Sequence, residues 1–231
     1  MGGKTDGKYH EEETIIMKIT WLGHAAFLLE TGGSKIVTDP YDHNDDRINY
    51  GPITMPVDIV TISHDHADHN YAKELKGNPQ KVKGSGSHEV KGITFTGIET
   101  HHDPTKGSQR GGNTIFVIGA EGMNLCHAGD LGHTLSGDTI QAIGAVDILL
   151  IPVGGFYTID AAEATRVMEA LNPALVIPMH FKTEVLDFPI TGVEPFLLGK
   201  PNVRRQGSAE IQVTRETLPE KREIVVLEHL L

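Results

Sequence analysis

Apolar runs separated by polar, Gly- and Pro-rich punctuation divide the chain into short segments. Val57-Asp58-Ile59-Val60-Thr61-Ile62 reads as a buried strand, and Ile93–Glu99 alternates as a half-buried one should. Residues 147–153 and 174–179 are nearly continuous apolar runs, the mark of strands covered on both faces. Further strands are expected over 114–118, 123–128, near 209–214 and near 223–228. The segment 17–40, broken by Gly32-Gly33, predicts a β-meander. Helical signals are fewer. Asp160-x-x-Glu163 starts a helix whose stripe is Ala161, Ala164, Val167, Met168 and Leu171, and Asn172-Pro173 stops it. Ser136 can cap a helix over 137–143, and shorter helices are expected over 70–76 and 192–199. Gly84–Ser87 reads as a turn, with His88 exposed beside it. Strands come first, then strands alternate with helices, so the order predicts an α/β arrangement of sheets faced by helices.

Residues 1–16 are polar and Gly-rich without a period, and read as a disordered leader or a cloning remnant. Met17 is read as the natural start, and a single domain is expected over 17–231. A net charge of −11 with no basic stripe advertises no nucleic-acid surface. No apolar run of about 18 residues suggests a membrane span. Cys126 is the one cysteine, so no intrachain disulfide forms, which fits a cytoplasmic protein. Within a strand it is expected to be core, not a nucleophile.

Histidine changes the picture. There are 13 of them, and several stand at strand ends. His64-x-His66-x-Asp68-His69 follows the strand at 57–62, and strand alternation would turn His64 and His66 to one face. The strand at 93–99 delivers His101 or His102, that at 123–128 delivers Asp130, and that at 174–179 delivers His180. Imidazole and carboxylate are ligands for Zn²⁺, Mn²⁺ or Fe, and layered α/β folds gather their sites at strand ends. Gly84-x-Gly86 lacks the third glycine of a dinucleotide fingerprint, and no G-x-S-x-G marks a serine nucleophile.

His64-x-His66-x-Asp68-His69 resembles the signature of the metallo-β-lactamase-like superfamily. Trp21-Leu22-Gly23-His24-Ala25, Thr38-Asp39-Pro40, His127-Ala128-Gly129-Asp130, Ile151-Pro152-Val153-Gly154-Gly155 and Ile177-Pro178-Met179-His180 extend the resemblance along the chain. It is similar above all to the compact branch of metal-dependent hydrolases related to the L-ascorbate-6-phosphate lactonase. The resemblance implies an αββα four-layer sandwich, with two mixed sheets flanked by helices. It implies two divalent metal ions, zinc first and Mn²⁺ or Fe as substitutes. His64, His66 and His102 would hold one ion, His102 being chosen over His101 on the family pattern. Asp68, His69 and His180 would hold the other, and Asp130 would bridge them. Asp68 would also orient the nucleophile.

The function so implied is hydrolysis of a small ester, lactone, amide or phosphoester. A phosphodiesterase or nuclease of the same superfamily is the alternative, and an iron-dependent redox protein or non-catalytic metal module stands as one of another class. The expected partner is a small-molecule substrate; neither membrane nor nucleic acid is called for, and oligomerisation stays open. His133 and Tyr157 are expected to face the substrate. Asp39 is expected to support a ligand imidazole, as metal-bound histidines usually donate their other N–H to a carboxylate or carbonyl. His24 and His127 are expected to be hydrogen-bonded core histidines, and Lys182 and Arg110 exposed surface charges. The loop 41–56 is expected either to overhang the site or simply to connect.

Overall fold

The computed structural model describes residues 16–231, so the expected leader lies outside the described residues apart from Ile16. In chain order the strands begin with β1 (Met17–Gly23), β2 (Ala26–Thr31), β3 (Ser34–Thr38), β4 (Ile59–Ile62) and β5 (Gln80–Lys83). They continue with β6 (Gly86–Val90), β7 (Ile93–His101), β8 (Gly112–Ala120), β9 (Met123–His127), β10 (Ile148–Pro152) and β11 (Leu175–Met179). The last three are β12 (Val203–Arg205), β13 (Glu210–Val213) and β14 (Glu223–Val226). The helices are α1 (Gly137–Ile143), α2 (Ala161–Leu171) and α3 (Glu194–Leu197).

Two mixed sheets result, in the orders β13-β1-β2-β3-β4-β5 and β12-β14-β11-β10-β9-β8-β7-β6. In the first, β3, β4 and β5 run parallel; in the second, pairing is antiparallel from β6 to β9 and parallel from β9 to β12. The sheets share one core, in which Ile19, Trp21 and Phe27 of the first join Phe95, Phe116 and Leu125 of the second. Helix α2 packs on β10 and α3, and α1 on β7. The α2 start is a complete capping box on Asp160 and Glu163, and Ala164, Val167, Met168 and Leu171 are its buried stripe. This is the expected sandwich of two mixed sheets with helices. Over the far face of the first sheet the loop 41–56 does the covering. Tyr41, Ile48, Tyr50 and Ile53 pack on Leu22, Ala26, Leu28 and Val37, together with Leu186 and Phe188.

The expected helix over 70–76 shrinks to one 3-10 turn, Ala72–Glu74. Its backbone groups are spent elsewhere: Tyr71 N donates to Pro40 O, and Lys76 O accepts from Val57 N. Gly86–Val90 is a strand and not a turn, with His88 paired opposite Phe95 and half-buried. The unread strands β5 and β12 are both sheet edges, largely solvent-facing, so they lack the apolar alternation that announces a strand. No helix among the described residues is long and apolar enough to cross a membrane.

Candidate metal centre

The histidine motif does not continue β4. That strand ends at Ile62, and the chain bends through 63–66. The bend, not strand alternation, brings His64 Nε2 to 3.0 Å from His66 Nδ1. His69 N and Asn70 N then donate to His66 O, and this turn returns His69 to the centre. From the second sheet, β7 ends one residue before His102, β9 three before Asp130 and β11 one before His180. Asp130 is fixed through its backbone N–H, which donates to Asn113 Oδ1 at 2.9 Å.

The side chains meet around the Asp130 carboxylate, which is 1 % exposed. Its Oδ1 lies 3.1 Å from His69 Nε2. Its Oδ2 lies 3.1 Å from His102 Nε2, 3.4 Å from His180 Nε2 and 3.9 Å from His64 Nε2. Asp68 Oδ2 is 3.6 Å from His69 Nε2. All seven residues expected at the centre are thus brought together. His102 is there and His101 is not; the His101 ring is half-buried, 5.7 Å from that of His133. Ligand-capable atoms of His64, His66 and His102 lie within 4.8 Å of one another, as do those of His24, Asp68, His69 and His180.

The donor set fits a metal. Buried polar atoms are normally hydrogen-bonded. Here Asp130 Oδ1, His69 Nε2 and both ring nitrogens of His180 are buried and make no hydrogen bond of acceptable geometry among the described residues, close as some of them stand to one another. A cation satisfies converging lone pairs that no donor reaches. Burial above all, and then His69 beside it, pushes His64 down to about 3, so its ring is neutral and available as a ligand. His69 goes the other way. Burial alone would lower it, but the Asp130 and Asp68 carboxylates raise it well above the ordinary range. The buried Asp130 and half-buried Asp68 carboxylates ask for positive charge there, which a proton or a metal ion supplies.

Asp39 supports this cluster as expected. It is fully buried, and its carboxylate accepts from Ser63 N at 2.8 Å, Ser63 Oγ at 2.5 Å and His69 Nδ1 at 3.0 Å. Its Oδ2 therefore sets the His69 tautomer and leaves Nε2 facing Asp130. Ser63 Oγ also lies 2.9 Å from His64 Nδ1, which turns His64 Nε2 inward in the same way. Asp39→Asn keeps the shape and removes the charge. It should weaken zinc binding about 10- to 100-fold, the usual cost of losing such a partner; a competitive chelator titration with unchanged affinity would reduce Asp39 to packing.

Two other histidines divide. His127 is a core residue: Nε2 donates to Ala25 O at 2.9 Å and Nδ1 accepts from Gly129 N at 3.2 Å. His24 is buried too, but its Nε2 donates to Asp68 Oδ2 at 3.2 Å and its ring lies 4.1 Å from that of His180. It holds Asp68, a role that a lone histidine in a β1–β2 turn did not announce. Cys126 is buried in β9, where burial pushes its thiol up to about 12, so it is no nucleophile.

A cavity of about 220 Å³ opens over the centre, with Asp68, His66, His102 and Asp130 in its floor and Arg47, Arg110, Tyr157 and Phe188 at its rim. Tyr157 lines the cavity. His133 does not: it accepts from His101 N at 3.2 Å and its Nδ1 donates to Thr134 O, so it braces the end of β7. Lys182 turns to Asp187 at 3.3 Å, on the surface. Arg110 is at the rim and not free on the surface. Arg47 and Phe188 were not singled out as residues; the loop 41–56, expected either to overhang the site or to connect, brings Arg47 to the rim.

Comparison with known proteins follows the geometry. A model of the beta-lactamase superfamily domain matches residues 18–180. A UPF0173 metal-dependent hydrolase of Methanosarcina mazei is 32 % identical over 194 residues, covering 72 % of this chain and 84 % of that protein. A crystal structure from Thermotoga maritima, assigned to the Zn-dependent hydrolases of the metallo-β-lactamase superfamily, is 39 % identical with a TM-score of 0.78; the match covers 93 % of this chain and all of that one (100 %). A metallo hydrolase of Ignicoccus hospitalis is 26 % identical with a TM-score of 0.56, over 75 % of this chain and 84 % of its own.

Proposed function

The chain belongs to the beta-lactamase superfamily and, within it, to the UPF0173 metal-dependent hydrolases, and from that premise we propose that it hydrolyses a small ester, lactone, amide or phosphoester at a centre of two zinc ions in the cytoplasm. One observation carries the two-ion reading. Ligand-capable atoms gather in overlapping groups, of which His64–His66–His102 and His24–Asp68–His69–His180 share no residue, with His24 Nε2 spent on Asp68; the Asp130 carboxylate reaches both, its Oδ2 near His102 and His180 and its Oδ1 near His69. The first group would hold one ion, the second the other, and Asp130 would touch both. When bound, zinc supplies Lewis acidity, bringing the pKa of water to about 7 and polarising the substrate oxygen.

The chain's own residues do the rest. Asp39 and Ser63 fix the ring orientations of His69 and His64 before substrate arrives. Asp68 faces the cavity, and burial, which alone would raise it, is outweighed by His69 and His24, so its carboxyl stays ionised below the usual range. It is the group placed to orient the attacking water. Tyr157 and Phe188 wall the cavity and limit solvent around the reacting bond.

The test is metal content together with turnover. Zinc-loaded protein should hold two ions per chain and hydrolyse at least one member of a panel made of a generic phosphodiester, simple lactones and phosphorylated lactones. His64→Ala should lose both an ion and the rate. A single ion per chain would overturn the two-ion reading, and a rate unchanged in His64→Ala would overturn the assignment of the centre.

A further inference from the structure

Arg110 sits at the cavity rim on a loop that does not move freely. Asp103, fully buried, lies next to His102 and accepts five hydrogen bonds from the segment that follows it. Its Oδ1 takes Thr105 N, Thr105 Oγ1 and Gly107 N at 2.8, 2.6 and 3.0 Å. Its Oδ2 takes Gln109 N at 3.0 Å and Arg110 N at 2.8 Å. One buried carboxylate thus ties the loop that carries Arg110 to the residue beside the metal-facing His102.

The two guanidiniums at the rim are not equivalent. Arg47 is already occupied, its Nε and one NH₂ nitrogen (Nη2) meeting Asp45 at 3.0 and 2.7 Å. Arg110 has no acidic partner and no side-chain hydrogen bond among the described residues. Its guanidinium lies 5.7 Å from the centroid of the Tyr157 ring, which leaves its N–H fork uncommitted in a half-buried position. On a chain of net charge −11, an unpaired cation at the mouth of the site, on a backbone held by Asp103, is a specific feature. A guanidinium fork matches the two oxygens of an oxyanion. The cavity, about 220 Å³, lies below the roughly 300–1,000 Å³ usual for ligand sites, so the occupant is small.

Building on the hydrolase reading, we propose that the substrate is a small molecule bearing a carboxylate or phosphate apart from the bond that is cleaved, and that Arg110 grips that oxyanion against Tyr157. The reacting group lies over Asp130 and Asp68 while the anionic tail reaches the rim.

Three short hydroxamates share one metal-binding head and differ in the tail: a neutral methyl, a carboxylate and a phosphonate. Their dissociation constants are measured by calorimetry on zinc-loaded wild type and on zinc-loaded Arg110→Ala and Arg110→Lys. In wild type at least one charged tail should bind about tenfold or more tighter than the neutral one, the range of a charge-assisted hydrogen bond. The two charged arms tell a carboxylate from a phosphate substrate. In Arg110→Ala that ratio, taken within the variant, should fall below about threefold, with Arg110→Lys between. A wild-type ratio near one, or a ratio unchanged in Arg110→Ala, would overturn the proposal and leave the hydrolase reading intact. Binding of no hydroxamate to a zinc-loaded chain would remove both, because the shared head then finds no open metal.

Discussion

Asp130→Ala should yield a folded chain that neither retains its metal ions nor hydrolyses substrate. The Asp130 carboxylate approaches four imidazoles, His64 and His102 on one side and His69 and His180 on the other. Its backbone stays anchored through Asn113, so the strand end survives the change. Loss of supporting groups around metals already costs about 10- to 100-fold in affinity; loss of the shared carboxylate should exceed that at both positions. The second readout is thermal. An ion that binds only the folded chain stabilises it by about 2.7 kcal/mol at a hundredfold excess over its dissociation constant. For a chain of this size, that is roughly 5–11 °C in Tm. Zinc should raise the wild-type Tm by that order, EDTA should remove the increment, and Asp130→Ala should show none of it. Full metal content and full rate in Asp130→Ala would take Asp130 out of the centre.

Much of this centre was legible because metal chemistry is local. Three histidines and a carboxylate within six residues have few other uses behind a core strand, and each central strand with a His or Asp at its end pointed to the same place. The choice of His102 over His101 rested on pattern, and the structure places His102 at Asp130. The reason is visible only in three dimensions: β7 runs through His101, whose N–H is held by His133. What sequence could not carry are the contacts made by segments far apart in the chain. Arg47 and Phe188 reach the rim because the loops 41–56 and 181–191 share an apolar cluster over the first sheet. His24 reaches Asp68 because its carbonyl accepts from His180 N, tying the β1–β2 turn to the end of β11. The edge strands β5, β6 and β12 escaped for a different reason: solvent-facing strands satisfy their backbone in the ladder while their side chains keep no apolar period.

Gly132→Ala should damage the centre without touching a ligand. A Cβ at Gly132 would stand 2.2 Å from the His102 carbonyl carbon and 2.3 Å from Asp103 N. These are backbone atoms and cannot rotate away. Gly132 N also donates to His101 O at 2.9 Å, so the two segments are held together and cannot part without losing that bond. The methyl must therefore push residues 101–103 as a unit. His102 then leaves its place 3.1 Å from Asp130 Oδ2, and the buried Asp103 carries its loop with it. Overpacking of this kind costs about 1–3 kcal/mol, or roughly 2–12 °C for a chain of this size. The specific effect should be larger: under the two-ion proposal, an ion at His64, His66 and His102 should bind at least about tenfold more weakly, while the other position suffers less. Gly137→Ala is the matched control. Nothing lies within 4 Å of a Cβ there and the residue opens α1, so the added methyl should be neutral or stabilise by about 0.4–1 kcal/mol. Zinc stoichiometry and Tm measured on both variants separate space from conformation. If Gly132→Ala keeps wild-type affinity at both positions, the close packing of this glycine on the His102 backbone does not position the ligand.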